Sequence, residues 1–323
     1  MNRLPVVAEA RAGTSAAKDA LAADGDADSG VRVRLDGGIG AEPDAGPARG
    51  AARLPVRRLR VDLARGFPRL WCGGDAFRTH FMNALSMSFP VGEQFFIDSV
   101  KKGVATLAPG QQACWDEALR GFVGQEATHR FLHAQFNAEL ERQGLENHWQ
   151  HWVAWRIERG RDMHPVNHVA VTAAYEHFTA VLATGLLRQA SWLRGAPPEL
   201  ALLWRWHAVE ESEHKTVAFD LYRAMGGSER RRILWFAYIG LQFFVESGLQ
   251  TAINLWRAGL WWRPRTWWGG ARFLLGRGGV WRACALPLLR YLRPGFHPAQ
   301  LADAAEMAQW LESQRAAYTI VAG

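Results

Sequence analysis

Four acid-bearing segments constrain what this chain can fold into more than its composition does. Two carry a single key glutamate, Glu93 and Glu176, and two carry Glu-x-x-His, Glu126 to His129 and Glu211 to His214. Residues three apart share one face of a helix, so each Glu-x-x-His presents a carboxylate and an imidazole to the same point. Four such helices packed together form a cage of ligands for two metal ions. The expected fold class is therefore all-α.

The register of the apolar residues tests this reading, because a ligand must face the core. Leu119, Phe122 and Val123 are followed at helical spacing by Glu126, His129 and His133, then by Phe136 and Leu140. Ionisable groups that interrupt a buried face are costly unless paired or metal-bound. Trp204, His207, Glu211, His214, Ala218, Leu221 and Met225 follow a three-four repeat that selects Glu211 over Glu210. Val169, Thr172, Ala173, Glu176, Ala180 and Leu187 share a face, from which His177 points roughly 100° away. Glu93 leaves two readings open, an inward ligand or a residue near a helix start. His133 is read as an outer partner that orients a ligating carboxylate, with direct ligation as the alternative. Glu210, Glu213 and His177 are candidates for the same outer layer, Glu210 and Glu213 alternatively being solvated.

The spacing predicts helices over about 75–107, bent or broken at Pro90, and over 111–143, 165–195 and 199–226. Long loops separate the second from the third, strand-like alternation is absent, and a short amphipathic helix over 298–318 closes the chain. The expected architecture is a ferritin-like four-helix bundle with additional C-terminal helices. Three regions follow: a disordered tail over 1–52, the di-metal bundle over 53–227, and a basic, Trp-rich helical extension over 228–323 packed on the bundle. The tail has no aromatic residue and is dominated by Ala, Gly, Asp and Arg, a composition that does not offset the entropy of ordering. No apolar run follows a basic start there, which points to a cytoplasmic protein. Cys72, Cys114 and Cys284 are too few and too scattered for a disulfide framework or a thiolate metal site.

The formal charge of +7 is concentrated in one place. Between 228 and 298, eleven Arg stand against Glu229 and Glu246, interleaved with seven Trp. Arg and Trp beside an apolar helix suit a membrane surface, where indole sits among headgroups and guanidinium meets phosphate. A solvated basic face is the plainer reading, and nucleic acid is set aside because no binding motif accompanies the charge. The stretch 233–256 is long enough to span a bilayer, but Gln242, Glu246, Gln250 and Asn254 form a polar stripe along it. Peripheral contact is therefore expected rather than a spanning helix.

The segments Phe89-Pro90-Val91-Gly92-Glu93-Gln94-Phe95-Phe96, Gly124-Gln125-Glu126-Ala127-Thr128-His129, Tyr175-Glu176-His177-Phe178-Thr179-Ala180 and Trp206-His207-Ala208-Val209-Glu210-Glu211-Ser212-Glu213-His214-Lys215 resemble those of bacterial proteins labelled predicted metal-dependent hydrolases. The resemblance spans about 60–320. A second one is confined to His207-x-x-x-Glu211-x-x-His214, which is similar to the fourth-helix motif of di-iron arylamine N-oxygenases. It implies that His207 is a seventh ligand.

Carboxylates and imidazoles without thiolate suit iron or manganese, and four Glu carry enough negative charge for two divalent ions. The leading expectation is an O2-activating di-iron oxidase or oxygenase acting on a small lipid-like or aromatic substrate. Glu93, Glu126, His129, Glu176, Glu211 and His214 would hold two iron ions, with His207 as the seventh ligand and no catalytic group beyond these. Manganese or zinc are the alternative metals. Phe95, Phe96, Phe122 and Phe178 would wall off water. No glycine-rich nucleotide fingerprint follows a strand, so the electron donor would be a separate protein, and the chain is expected to self-associate. The alternative is metal-dependent hydrolysis at the same dinuclear site. A storage bundle or a membrane-associated structural protein are further readings.

Overall fold

The computed structural model describes residues 54–322; the segment 1–52, read as a disordered tail, lies outside the described residues. The fold is an all-α helical bundle, as the spacing predicts. The ligand-bearing helices are α1 (Ala76–Ala105), α2 (Pro109–Arg142), α4 (Pro165–Arg188) and α5 (Pro198–His214). Helix α1 starts where the Asp75 side chain accepts the Arg78 amide, and prolines open α2, α4 and α5 at positions whose amides have no helical partner anyway.

Helix α1, expected to be bent or broken at Pro90, runs through it unbroken. Proline removes the amide that would bond to the carbonyl four residues back, and here that carbonyl, Ser86 O, accepts from Asn137 Nδ2 at 2.9 Å instead. The next one, Met87 O, accepts from Asn147 Nδ2 at 2.8 Å. Asn137 thus takes the place of the one ladder bond the proline removes, and Asn147 adds a partner to the next carbonyl.

The stretch expected to be a long loop contains α3 (His148–Gly160), capped by Asn147. The expected fourth helix divides at Lys215 and Thr216 into α5 and α6 (Val217–Ala224). At the break Lys215 turns to Asp303 Oδ1, 2.5 Å away. Beyond it, α7 (Glu229–Arg257) packs on α1 and α4, and α8 (Pro264–Leu275) and α9 (Val280–Arg290) pack on α1 and α4 respectively. No helix among the described residues is long and apolar enough to cross a membrane.

The expected final helix is shorter, α10 (Ala304–Ser313), and Tyr318 opens a strand. That strand, β2 (Tyr318–Ala322), pairs antiparallel with β1 (Val56–Leu59), Leu59 opposite Tyr318. The sequence shows no alternation because the pairing joins two short segments far apart in the chain. Strand β1 lies against α2 where two glycines admit it: a Cβ on Gly121 would meet Leu54 Cβ at 2.5 Å, and one on Gly124 would meet Val56 Cγ2 at 2.3 Å. Gly121→Ala is expected to destabilise the fold by about 1–3 kcal/mol through this overpacking, read as a lower midpoint in urea denaturation with an unchanged slope.

Candidate metal centre

Helix α1 contributes Glu93, α2 contributes Glu126 and His129, α4 contributes Glu176, and α5 contributes His207, Glu211 and His214. All seven are buried. Their ligand atoms form three overlapping groups, Glu93–His129–His207, Glu126–Glu176–His214 and Glu126–His129–Glu211, each within 4.8 Å. His214 Nε2 lies 3.3 Å from both Glu126 Oε1 and Glu176 Oε2, and His207 Nε2 lies 3.1 Å from Glu211 Oε1. The structure therefore brings together every residue read as a ligand, and Glu93 sits inside a helix, pointing inward.

The inward atoms fit a cation. Both carboxylate oxygens of Glu93, Glu126 and Glu176, together with Glu211 Oε2, His129 Nδ1 and His214 Nε2, are buried without a hydrogen-bond partner among the described residues. Buried polar groups are normally satisfied, and carboxylates left bare inside a protein are costly. Four carboxylates offset two divalent ions in charge.

The protonation states carry the same strain. Burial, reinforced by Glu211, holds Glu93 well above the usual carboxylate range, and burial with Glu176 and Glu211 does the same to Glu126. Burial pushes Glu176 up to about 8. Glu211 goes the other way: burial opposes its charge, but His214, His129 and His207 outweigh it. Burial lowers His207 to about 4.

An outer layer fixes the imidazoles. His129 Nε2 meets Glu210 Oε2 at 3.1 Å, which leaves Nδ1 facing Glu211. Arg57 of β1 holds Glu210 at 3.3 Å and both oxygens of Glu213 at 2.7 and 2.8 Å. Gln125 Nε2 donates to Glu213 Oε2 and to Pro55 O, so its Oε1 accepts from His214 Nδ1–H at 3.0 Å and His214 Nε2 is left for the cluster. Glu210 is therefore fully buried, which replaces the solvated reading, and burial raises it to about 8. Arg57 and Gln125 escaped the sequence reading. Gln125 lies one residue off the ligand register, and nothing local marks Arg57.

His133 orients an imidazole rather than a carboxylate. Asn137 Nδ2 is engaged with Ser86 O, so Asn137 Oδ1 accepts the Ser86 hydroxyl at 2.8 Å. Ser86 Oγ, its proton committed, accepts from His133 Nδ1 at 2.8 Å. His133 Nε2 then accepts from His207 Nδ1 at 2.8 Å, and the His207 Nε2 lone pair faces the cluster. His177 does not join this layer: its Nε2 reaches Pro287 O at 3.2 Å on the α9 side of α4, as its helical offset from Glu176 dictates.

A cavity of about 440 Å³ reaches Glu93, the cluster residue on its wall, past Phe89, Phe95, Phe96 and Ile239. Phe122 packs on the His214 ring at 5.1 Å between centroids. Phe178 does not wall this cavity; it lines a separate one of about 200 Å³ between α7, α8 and α9.

The family model described as predicted metal-dependent hydrolase matches residues 55–302, a span that holds all seven cluster residues and both Arg57 and Gln125. The chain belongs to this family. No curated protein and no solved structure matches this member of the predicted metal-dependent hydrolase family, so nothing beyond the His207 motif supports the likeness to arylamine N-oxygenases expected from the sequence.

One pH dependence follows for this hydrolase-family chain. In the metal-free fold Glu176 and Glu210 sit at about 8 against an ordinary 4.5. The folded state keeps protons on these acids that the unfolded chain releases, whereas below pH 6.5 the buried His80, His177 and His207, lowered to about 4, act in the opposite sense; the net loss of metal-free stability is therefore expected as pH rises from about 6.5 to 8. His214, also raised, acts in the same sense, and Glu211, lowered, acts below this window. Thermal melts in chelator across this range are expected to fall with pH. Metal displaces the protons, so the slope is expected to flatten once metal is added.

Proposed function

We propose that this chain is a dinuclear metal-dependent hydrolase whose small, largely apolar substrate reaches the centre through the cavity beside Glu93. The observation that carries this reading is the convergence of ligand atoms from seven buried residues, six of which leave such atoms without hydrogen-bond partners among the described residues, next to an apolar cavity. Glu93, Glu126, His129, Glu176, His207, Glu211 and His214 would hold the ions. Metal bound there supplies charge for a carbonyl or phosphoryl oxygen and lowers the pKa of bound water. The chain's own groups do the rest. Phe95 and Phe96 hold the apolar part of the substrate and keep out bulk water. Glu93, facing both cluster and cavity, is placed to take the proton of an attacking water on a carboxylate oxygen. Glu210, Gln125 and His133 keep the imidazole lone pairs turned inward.

A second reading, O2-dependent oxidation, is favoured by the donor set itself: four carboxylates and three imidazoles without thiolate suit iron or manganese. It requires electrons from a separate donor protein. Metal content by elemental analysis, followed by anaerobic reduction, exposure to O2 and assay on aryl esters of increasing acyl length, separates the two. Zinc, or iron inert to O2, with ester cleavage supports hydrolysis. Two irons with O2 uptake and a transient colour support oxidation, and a chain without metal overturns both.

A further inference from the structure

Helix α7 buries Phe236, Ile239, Phe243 and Leu255 together with part of its polar stripe, and leaves a second apolar stripe exposed. Its polar stripe faces the protein: Glu246 is buried against Trp149 Nε1 at 2.8 Å and against Arg156, and Gln250 Oε1 accepts the Trp149 amide at 2.8 Å. Its opposite face carries Leu234, Leu241, Leu249 and Trp256, which are 60, 63, 49 and 62 % exposed. Spacings of seven, eight and seven residues keep these four on one side of the helix, over about 33 Å. A surface helix ordinarily buries that stripe.

The exposed face continues onto its neighbours. Phe244 of α7 meets Trp281 of α9 at 4.5 Å between ring centroids, and α8 packs on α9. Trp262, just before α8, and Trp268, within it, are 81 and 69 % exposed. Arg263, Arg265, Arg272, Arg277 and Arg282 are exposed on these segments; Arg257 is paired with Glu146, and the two acids of the region are engaged, Glu246 by Arg156 and Glu229 by Arg223 and Arg232. The surface is therefore apolar with an excess of positive charge.

We infer that α7, α8 and α9 form a docking surface for an anionic lipid bilayer. Lipid is the occupant that satisfies both properties, taking leucine and indole into its interface and meeting guanidinium with phosphate. A second copy of the chain would set one arginine-rich face against another. Nucleic acid would meet the charge but leave the Leu234, Leu241 and Leu249 side chains without apolar partners. Trp235 and Tyr238 of α7 also line the cavity that reaches Glu93, so docking would open that cavity toward lipid and point to a lipid-derived ester as substrate. This last step rests on the hydrolytic reading, whereas docking does not.

Flotation of the full chain tests the inference directly, with vesicles of phosphatidylcholine alone or with about one-third phosphatidylglycerol, at ~50 and ~500 mM NaCl. Binding is expected on the anionic vesicles and is expected to weaken in salt. Leu241→Glu/Leu249→Glu, on exposed positions, is expected to lower the partition at least tenfold, and Arg263→Glu/Arg265→Glu to lower it on anionic vesicles. Far-UV circular dichroism and melting temperature are expected to match the parent chain. The inference is overturned if the chain does not float, or if the leucine variants float like the parent, which would leave charge alone. It is equally overturned if sedimentation shows a dimer that Leu241→Glu dissolves while vesicles are not bound, or if RNA is retained and vesicles are not.

Discussion

Glu126→Ala is expected to remove most of the bound metal and to lower turnover by roughly 10³-fold or more, because the charge stabilisation at the centre goes with the metal. Glu126 is the carboxylate common to two of the three ligand groups, Glu126–Glu176–His214 and Glu126–His129–Glu211. Its loss therefore affects both sides of the centre at once. The stability signature runs opposite to that of an ordinary core truncation. Without metal, Glu126 is a buried carboxylate with two orphaned oxygens, crowded by Glu176 and Glu211, so the metal-free variant is expected to be as stable as the parent or more so. With metal, the parent gains about 2.7 kcal/mol per site at a hundredfold excess over Kd, a rise in melting temperature of about 5 °C or more. The variant is expected to lose that rise. Elemental analysis and paired melts with metal and with chelator read both effects. A bundle that is merely polar inside would show no metal in either protein and no response to its addition.

Arg57→Met is expected to cost about 1.5–3 kcal/mol, the loss of charge-assisted hydrogen bonds to Glu213 and of the contact to Glu210. Arg57 is 4 % exposed and is the cation held by both Glu210 and Glu213. Glu210 in turn holds His129, and Glu213 holds Gln125, which holds His214. Removing one guanidinium thus loosens two imidazoles on opposite sides of the cluster, and metal affinity is expected to fall about 10–100-fold, as is usual when the partners of ligands are lost. Adding Glu210→Gln and Glu213→Gln to Arg57→Met is expected to restore much of the stability, because the orphaned charges go too, without restoring full metal affinity. Urea denaturation and metal titration on the same proteins distinguish the two losses.

The clustering of the seven side chains was legible in the sequence, as were His133 and Glu210 beside them, but Arg57 and Gln125 were not. Glu126, His129, Glu211 and His214 betray themselves because a helix repeats a face every three or four residues, and polar side chains in a row of Phe and Leu violate that face. The same logic put His207 on that face, its role as a ligand being what the resemblance implied, and selected Glu211 over Glu210. Arg57 obeys no such rule: it reaches Glu210 and Glu213 because β1 is seated on α2 by Gly121 and Gly124, a contact between segments that share no local pattern. Pro90 misled in the same way. Its local chemistry predicts a bend or a break, and the asparagines that take up the nearby carbonyls lie 47 and 57 residues away, at Asn137 and Asn147. Helix α3 went unread because its apolar face is mostly tryptophan, with Trp149 alone among its residues fully buried.

The pairing of β1 with β2 has a consequence for how the protein is made. Val56–Leu59 leaves the ribosome before any helix of the bundle, and Tyr318–Ala322 leaves after all of them. The strand that carries Arg57 lacks its partner until β2 has emerged, by which point both Glu-x-x-His segments are already out. A nascent chain can bring the cluster residues together early, and the clasp over Glu210 and Glu213 is expected to become firm only once β2 pairs with β1.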